Sequence, residues 1–342
     1  MGPACRLENM TMDYSHDFKH LFGPFYWQRG LSLANMKFGD VVVICGDMHH
    51  LSILWLAVCA KIRGIAVVWW GHHKSTTSTW IKIKIRVLFM RLLSTINLCY
   101  TKQGKDFLAA YGIPRKFVRY TGNTVDDIEI RDAAQNWGIE RLSAFIKSKG
   151  LVGKKVILFC SVLRSKTRLD HLFKALSMLK SSDVVVAVIG AGESEDFFRK
   201  EMIRLGLSDR ILWLGAIVEQ SELAPWFLIS KVFVYPGPIG LSLIHAFYYG
   251  LPVITHDNAK NHGPEFCVMQ DGETGFLFKE NDICDLAMKV DMILSDEKIR
   301  VKMGDAAKNI AIKNFSMEKM ARNFADAIEL AHFYVTERIS KK

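Results

Sequence analysis

The stretch Lys231–Asp257, KVFVYPGPIGLSLIHAFYYGLPVITHD, decides how the chain is read. Val232–Tyr235 is a short apolar run with the composition of a strand buried in a parallel sheet. Pro236-Gly-Pro-Ile-Gly240 is a turn. From Leu241 to Tyr249 apolar residues recur at helical spacing, Gly250 stands where a helix C-terminal glycine belongs, and Pro252-Val-Ile-Thr255 opens another strand. In an open parallel sheet, ligands bind beyond the carboxyl ends of the strands. The turn Gly237–Gly240 and the helix start that follows are therefore either a phosphate pocket or an ordinary crossover connection.

The same alternation extends in both directions. Upstream lie the strand Lys155–Cys160, a helix over Arg168–Lys180, the strand Asp183–Ile189 ending in Gly190-Ala-Gly192, a helix over Ser194–Leu205, the strand Ile211–Leu214 and a helix around Ser221–Leu228. Downstream come the strand Gly275–Phe278, a helix over Asp282–Leu294 and a helical region from Asp296 to about Thr336. The first half follows the same rule. Strands are expected at Asp40–Cys45, Ile65–Trp70, Ile96–Tyr100 and Phe117–Tyr120, with helices at Leu51–Arg63, Thr79–Leu93 and Thr101–Tyr111 between them and one at Arg131–Ser148 leading out. Residues 1–38 show no apolar strand with a Gly-rich turn, and Tyr26-Trp27-Gln28 reads as a loop leading into a helix. Short connections between alternating strands and helices argue for α/β architecture with helices on both faces of parallel sheets. The chain then divides into two Rossmann-like domains, 1–150 and 151–342, with the last helix free to cross back.

Composition sets bounds. Of 342 residues, 50% are hydrophobic and 23% charged, which describes a globular chain without a disordered block. Seven scattered cysteines, none in a CxxC pair, favour a reducing compartment over a disulfide framework or zinc site. No secretory signal is visible, and the apolar region Val41–Ile62 is interrupted by Asp47, His49 and His50, so a soluble or membrane-peripheral protein is expected. The net charge of +10 is concentrated at one end: residues 1–150 hold 20 of the 45 basic and 11 of the 35 acidic residues. Within 61–119 there are 12 basic residues against the single acid Asp106, which points to an anionic partner, a membrane surface or nucleic acid. No aromatic-basic module accompanies the charge, so nucleic acid is disfavoured.

Several positions carry candidate chemistry, each beside a plainer alternative. Gly190-Ala-Gly192 lacks the third glycine of a dinucleotide fingerprint. His72 and His73 follow a strand, where an imidazole either orients a substrate hydroxyl or phosphate or sits in a solvated turn. Arg164, Lys166 and Arg168 follow the first strand of the second half; cations there either neutralise a departing diphosphate or form a hydrated loop. Glu265, in His262-Gly-Pro-Glu265, is by itself an ordinary loop carboxylate. Trp80–Leu93 is both basic and apolar. On a helix Ile81, Ile85, Leu88, Phe89 and Leu92 share a face with Lys82 and Arg86 beside it, while Lys84 and Arg91 lie elsewhere on the circumference. Such a helix either rests in a bilayer interface, with Trp80, Lys82, Lys84, Arg86 and Arg91 at the lipid surface, or packs on the sheet with its basic positions in water.

From Lys155 to Phe315 the chain resembles the GT-B glycosyltransferases of family 4, the glycosyl transferases group 1. The resemblance rests on Ile189-Gly-Ala-Gly192-Glu193, Trp213-Leu-Gly215, Tyr235-Pro236 with Gly240-Leu-Ser242-Leu-Ile-His245-Ala246, Gly250-Leu-Pro252-Val-Ile254 and Asp271-Gly-Glu-Thr-Gly275. The first half matches more loosely through Trp70-Gly71-His72 and Asn123-Thr-Val-Asp126.

The resemblance implies a GT-B fold, two Rossmann-like domains facing across a cleft, here short of the usual first strand. It also implies a metal-independent hexosyltransferase-like enzyme that moves a sugar with retention from a nucleotide-sugar donor, needing no cofactor. The acceptor, a saccharide or a lipid-linked molecule, would bind the first domain and the donor the second. Carried over by position, His72 and His245 would be catalytic, and Arg164, Lys166, Gly192, Gly237, Gly240, Leu241, Ser242 and Glu265 would bind the donor. Members commonly carry two glutamates separated by seven residues; here Gly237 and His245 stand in those places, as in a similar variant branch with Gly-Leu-x-x-Ile-His. The family's usual loop lysine falls on Lys166 or on Thr167. The expected role is surface polysaccharide or glycolipid synthesis in the cytoplasm, at the inner face of an anionic membrane. A catalytically silent GT-B partner protein and a nucleotide-sugar epimerase remain as alternatives.

Overall fold

The computed structural model describes residues 18–71 and 79–337. Two compact units emerge.

The first holds the described residues up to Tyr120 and those from Asn323 onward. A small antiparallel hairpin, β1 (Phe18–His20) and β2 (Tyr26–Gln28), precedes a parallel sheet of β3 (Val41–Cys45), β4 (Ala66–Trp70), β5 (Ile96–Cys99) and β6 (Val118–Tyr120), in that order. Helices α1 (Leu51–Ile62), α2 (Trp80–Leu93) and α3 (Lys102–Ala110) connect the strands. Thr79 caps α2 and Thr101 caps α3, each accepting a backbone N–H in the first turn. Ile44, Val67, Trp69, Val87 and Met90 form the core on one sheet face, and Ala66, Val68, Ile96 and Leu98 pack against Ala327 and Ala331 on the other. The hairpin was not legible, because a three-residue strand offers too little alternation to register as one.

The second unit, Thr121–Arg322, begins with α4 (Asp127–Gln135) and α5 (Ile139–Ser148). The single helix expected over Arg131–Ser148 is thus two. Asp126 caps the first through Ile128 and Glu129 N–H, and the poor helix formers Asn136, Trp137 and Gly138 interrupt the run. Both helices pack on a later helix of this unit, α8 (Gln220–Ile229), which places the start of the second unit at Thr121 where the sequence suggested 148–154.

Its sheet is built from β7 (Lys155–Cys160), β8 (Val184–Ile189), β9 (Ile211–Gly215), β10 (Ser230–Tyr235), β11 (Val253–His256) and β12 (Gly275–Phe278), parallel throughout, in the order 12-11-10-7-8-9. The strand order reverses between β10 and β7, the kind of position at which a crevice opens beyond the carboxyl edge. Helices α6 (Leu169–Met178), α7 (Glu195–Arg204), α8 (Gln220–Ile229), α9 (Leu241–Tyr248), α10 (Ile283–Ser295) and α11 (Glu297–Asn314) complete the alternation. The final helix, α12 (Met317–Thr336), contributes its residues from Asn323 to the first unit. Val185–Ile189, Val232–Val234 and Leu243–Phe247, except His245, are buried almost completely, which accounts for their continuous apolar runs.

Candidate donor site

The loops at the carboxyl edge of the second sheet close on one another through backbone, and two glycines permit it. A Cβ at Gly192, after β8, would lie 2.3 Å from the Leu163 carbonyl; one at Gly237, after β10, would lie 2.2 Å from the Lys166 carbonyl. Leu163 N–H donates to Ala191 at 3.0 Å and Ser194 N–H to Leu163 at 3.1 Å, so the loop after β7 is laced to the loop after β8. The same loop carries Arg164 and Lys166, both exposed, beside the Gly237 turn. Arg168 adopts a left-handed backbone (φ 53°) and its guanidinium pairs with Glu280 at 3.0 Å. Asn258 and Asn261 also donate to Glu280, and these bonds hold its carboxyl down at about 2. Arg168 is thus committed to its own scaffold. Among the described residues Arg164 and Lys166 have no ion-pair partner. Thr167, the alternative to Lys166 for the family lysine, is buried with its hydroxyl on the Arg164 carbonyl.

The start of α9 is open. Gly240 is its N-cap, no side chain caps it, and its first turn carries no acidic residue, so the backbone N–H groups near Leu241 and Ser242 remain an anion-binding end. The turn before it is held from behind by His262. Ile239 N–H donates to His262 Nδ1 at 3.0 Å, and His262 Nε2–H donates to the His256 carbonyl at 2.8 Å, which fixes the tautomer. Burial keeps His262 neutral by lowering its pKa, and its ring stacks between His256 and Phe266. Gly263 N–H donates to the Ile239 carbonyl at 2.7 Å, completing the clamp.

Glu265 is 2% exposed and accepts a hydrogen bond from Asn123 Nδ2. Its other oxygen sits 3.6 Å from where a Gly240 Cβ would be, directly behind the α9 entrance. Its visible partner is therefore protein, and it supports the turn. His245, one helical turn further along α9, is packed towards α8: its ring stacks on Phe227 at 4.5 Å and its Nε2 lies 3.0 Å from Gln220 Nε2. Gln220 also donates to the Tyr249 hydroxyl at 2.6 Å. Burial lowers His245 to about 4, so at neutral pH it is an uncharged hydrogen-bond acceptor. His72 and its neighbour His73 lie outside the described residues.

The geometry thus brings Arg164, Lys166, Gly192, Gly237, Gly240, Leu241, Ser242 and Glu265 to one sheet edge and sets His245 between two helices. Gln220 was not singled out from the sequence, and His262 and Asn123 figured there only as members of the runs His262-Gly-Pro-Glu265 and Asn123-Thr-Val-Asp126. His262 opens the His262-Gly-Pro-Glu265 loop, but nothing in its spacing marks it as a clamp. The side-chain contacts of Asn123 and Gln220 span 142 and 25 residues, out of reach of any local pattern.

Two units with parallel sheets, helices on both faces and an open helix N-terminus at the strand-order reversal define an α/β protein with the GT-B glycosyltransferase fold. Residues 143–310 match the family model described as Glycosyl transferases group 1. The chain is similar to the lipopolysaccharide core biosynthesis glycosyltransferase LpsE of Rhizobium meliloti (strain 1021), at 26% identity over 138 residues, 40% of this chain and 38% of LpsE. It is also similar to the N-acetyl-alpha-D-glucosaminyl L-malate synthase of Bacillus anthracis, at 25% identity over 173 residues, 50% of this chain and 44% of that protein. The chain spans about half the length, or less, of the curated relatives it matches. Among solved structures, Anabaena Alr3699/HepE in complex with UDP superposes with a TM-score of 0.71 at 16% identity, over 85% of this chain and 78% of that one.

Proposed function

We propose that this chain is a retaining, metal-independent glycosyltransferase of family 4, in the variant branch that carries His245, acting on a nucleoside-diphosphate sugar in surface polysaccharide or glycolipid synthesis. The observation that carries the proposal is the uncapped start of α9 at Gly240, with the loop that bears the exposed Arg164 and Lys166 packed against the Gly237 turn before it, inside the matched family segment. A diphosphate at this position meets backbone N–H groups and two positive side chains, which stabilise the negative charge that grows as the sugar departs. The match to LpsE supports a role in polysaccharide assembly, and the UDP held by Alr3699/HepE supports a nucleotide donor.

In this reading Arg164, Lys166, Gly192, Gly237, Gly240, Leu241 and Ser242 hold the donor diphosphate and sugar. Glu265 keeps the turn in place, and neutral His245 with Gln220 serves the donor's ribose as a hydrogen-bonding pair. His72 approaches the transferred sugar. The acceptor binds the first unit. Release of nucleoside diphosphate from UDP-, GDP- and dTDP-sugars, with saccharide and lipid-linked acceptors, tests this. Turnover is expected with at least one pair and is expected to fall by 10-fold or more in Arg164→Gln. The absence of turnover with every pair sinks the proposal. The blocked Gly237 position favours the silent-partner reading instead; UDP binding without turnover on any acceptor supports that.

The protein is further proposed to work at the cytoplasmic face of an anionic membrane through α2. Ile83, Val87, Phe89 and Met90 already supply that helix with a core-facing side. A second apolar side, Trp80 (63% exposed), Ile81, Ile85, Leu88 and Leu92, faces outward with Lys82, Lys84 and Arg91. Arg86 is half-buried, and Lys84 lies over the Trp80 ring at 4.7 Å. No helix among the described residues is long and apolar enough to cross a membrane.

A further inference from the structure

A cavity of about 880 Å³ opens in the first unit at the amino-terminal edge of its sheet, where Gly64-Ile65, Ser94-Thr95 and Phe117 lead into β4, β5 and β6. Donor-binding edges in this fold class are carboxyl edges, so this cavity belongs to neither the donor site nor its chemistry. Its size is that of a ligand pocket. Three features define what it suits. Lys61, Arg91 and Lys116 line it against a single carboxylate, Glu337, so its field is positive. Its inner wall is apolar, with Ile65, Met90 and Ile113 almost fully buried. Asn97, 2% exposed on β5, also lines it, and its side-chain Oδ1 has no hydrogen-bond partner among the described residues. A buried amide oxygen without a donor is costly, and a ligand hydroxyl reaching it removes that cost.

We propose that this cavity binds a single phosphate-bearing amphiphile, a glycerophospholipid whose phosphate meets Lys61, Arg91 and Lys116, whose headgroup hydroxyl donates to Asn97 and whose chain lies along the apolar wall. The site lies at the end of the helix whose exposed side is proposed to touch the bilayer, since Arg91 lines it and Lys61 Nζ donates to the Leu92 carbonyl. The inference thus rests on the membrane reading and deepens it from a surface to a specific lipid site.

The test uses the full chain with dihexanoyl-phosphatidylglycerol kept monomeric below its micelle concentration, and inorganic phosphate as the second arm. Calorimetry is expected to show saturable one-to-one lipid binding, at least 10-fold weaker for inorganic phosphate and at least 10-fold weaker in the Lys61→Glu/Lys116→Glu variant. Hydrogen exchange on the unmodified protein is expected to show lipid protection at 94–97 and 113–117, which keeps the idea testable if the variant does not fold. Equal affinity for phosphate, absence of saturation, an unaffected variant or protection elsewhere overturns the proposal. Trp80→Ser/Ile85→Ser/Leu88→Ser separates the two ideas: if it still sediments with anionic vesicles, the helix reading fails, while binding of the monomeric lipid continues to report on the cavity alone.

Discussion

Gly237 is the position at which the sequence resemblance led to the expectation of a glutamate, and a side chain has no room there. A Cβ at this position would stand 2.2 Å from the Lys166 carbonyl and 2.8 Å from Thr167 Cα, both backbone atoms that cannot rotate away. Gly237→Glu is therefore expected to displace the loop after β7 and abolish donor binding, and Gly237→Ala to do most of the same, by 10-fold or more in UDP affinity read by calorimetry. Unchanged affinity in the alanine variant contradicts the packing described. His245 is held against Phe227 in the packing of α9 on α8. Its pKa lies near 4, below the 6.5 of an unfolded histidine, so the unfolded chain binds the proton more readily. The stability tied to its neutral form is present above pH 6.5 and is lost as pH falls from 6.5 towards 4. His245→Gln, which keeps a hydrogen-bonding group for Gln220 but does not titrate, is expected to flatten part of that acid limb by on the order of 1–3 kcal/mol in denaturant melts at pH 4 relative to pH 7. A parallel pH profile in both proteins contradicts the assignment.

At the scale of the element, α9 and α2 are helices whose ordinary rules are deliberately incomplete. A helix start is usually capped or acidic; α9 has neither in its own cap and first turn, and the loop that carries the exposed Arg164 and Lys166 packs against the turn preceding it. Placing a carboxylate there mimics the missing anion. Ser242→Asp is expected to raise thermal stability without ligand and to weaken UDP about 10-fold, by occupying and repelling at the same N-terminus. Rising UDP affinity in this variant means the diphosphate does not sit at α9. In α2 the excess is apolar: a surface helix needs one apolar stripe, and this one carries two. Replacing Lys82, Lys84, Arg86 and Arg91 with glutamine removes the attraction to anionic lipid but leaves the stripe, so vesicle binding is expected to drop several-fold and to lose its salt dependence. Vesicle sedimentation unchanged by those substitutions contradicts membrane contact through α2.

For the molecule as a whole, alternation was strong enough to be read directly. The inner strands of the second sheet are largely apolar runs because both of their faces are covered, while edge strand β9 is only partly buried, and most helices between them keep a 3.6-residue period, α8 being buried nearly all round. That periodicity marked all six strands and the α9 entrance. It did not mark the hairpin Phe18–Gln28, whose strands are three residues long, nor the division between Gln135 and Ile139, where propensity is weak and capping decides. The allotment of α4 and α5 to the second unit was likewise out of reach, because it depends on their packing against α8.

The sequence by itself determined the α/β architecture, the candidate phosphate turn and the concentration of positive charge before residue 120, since hydrophobic period, glycine position and charge are local properties of the chain. Only the tertiary structure decided which of those residues are available to a ligand. Among the described residues Arg164 and Lys166 have no ion-pair partner while Arg168 is held by Glu280, Glu265 accepts from Asn123, and His245 is neutral because Phe227 and its neighbours exclude water. Each of those outcomes depends on partners distant in sequence, and burial, not residue type, sets whether an ionisable side chain carries charge into a site.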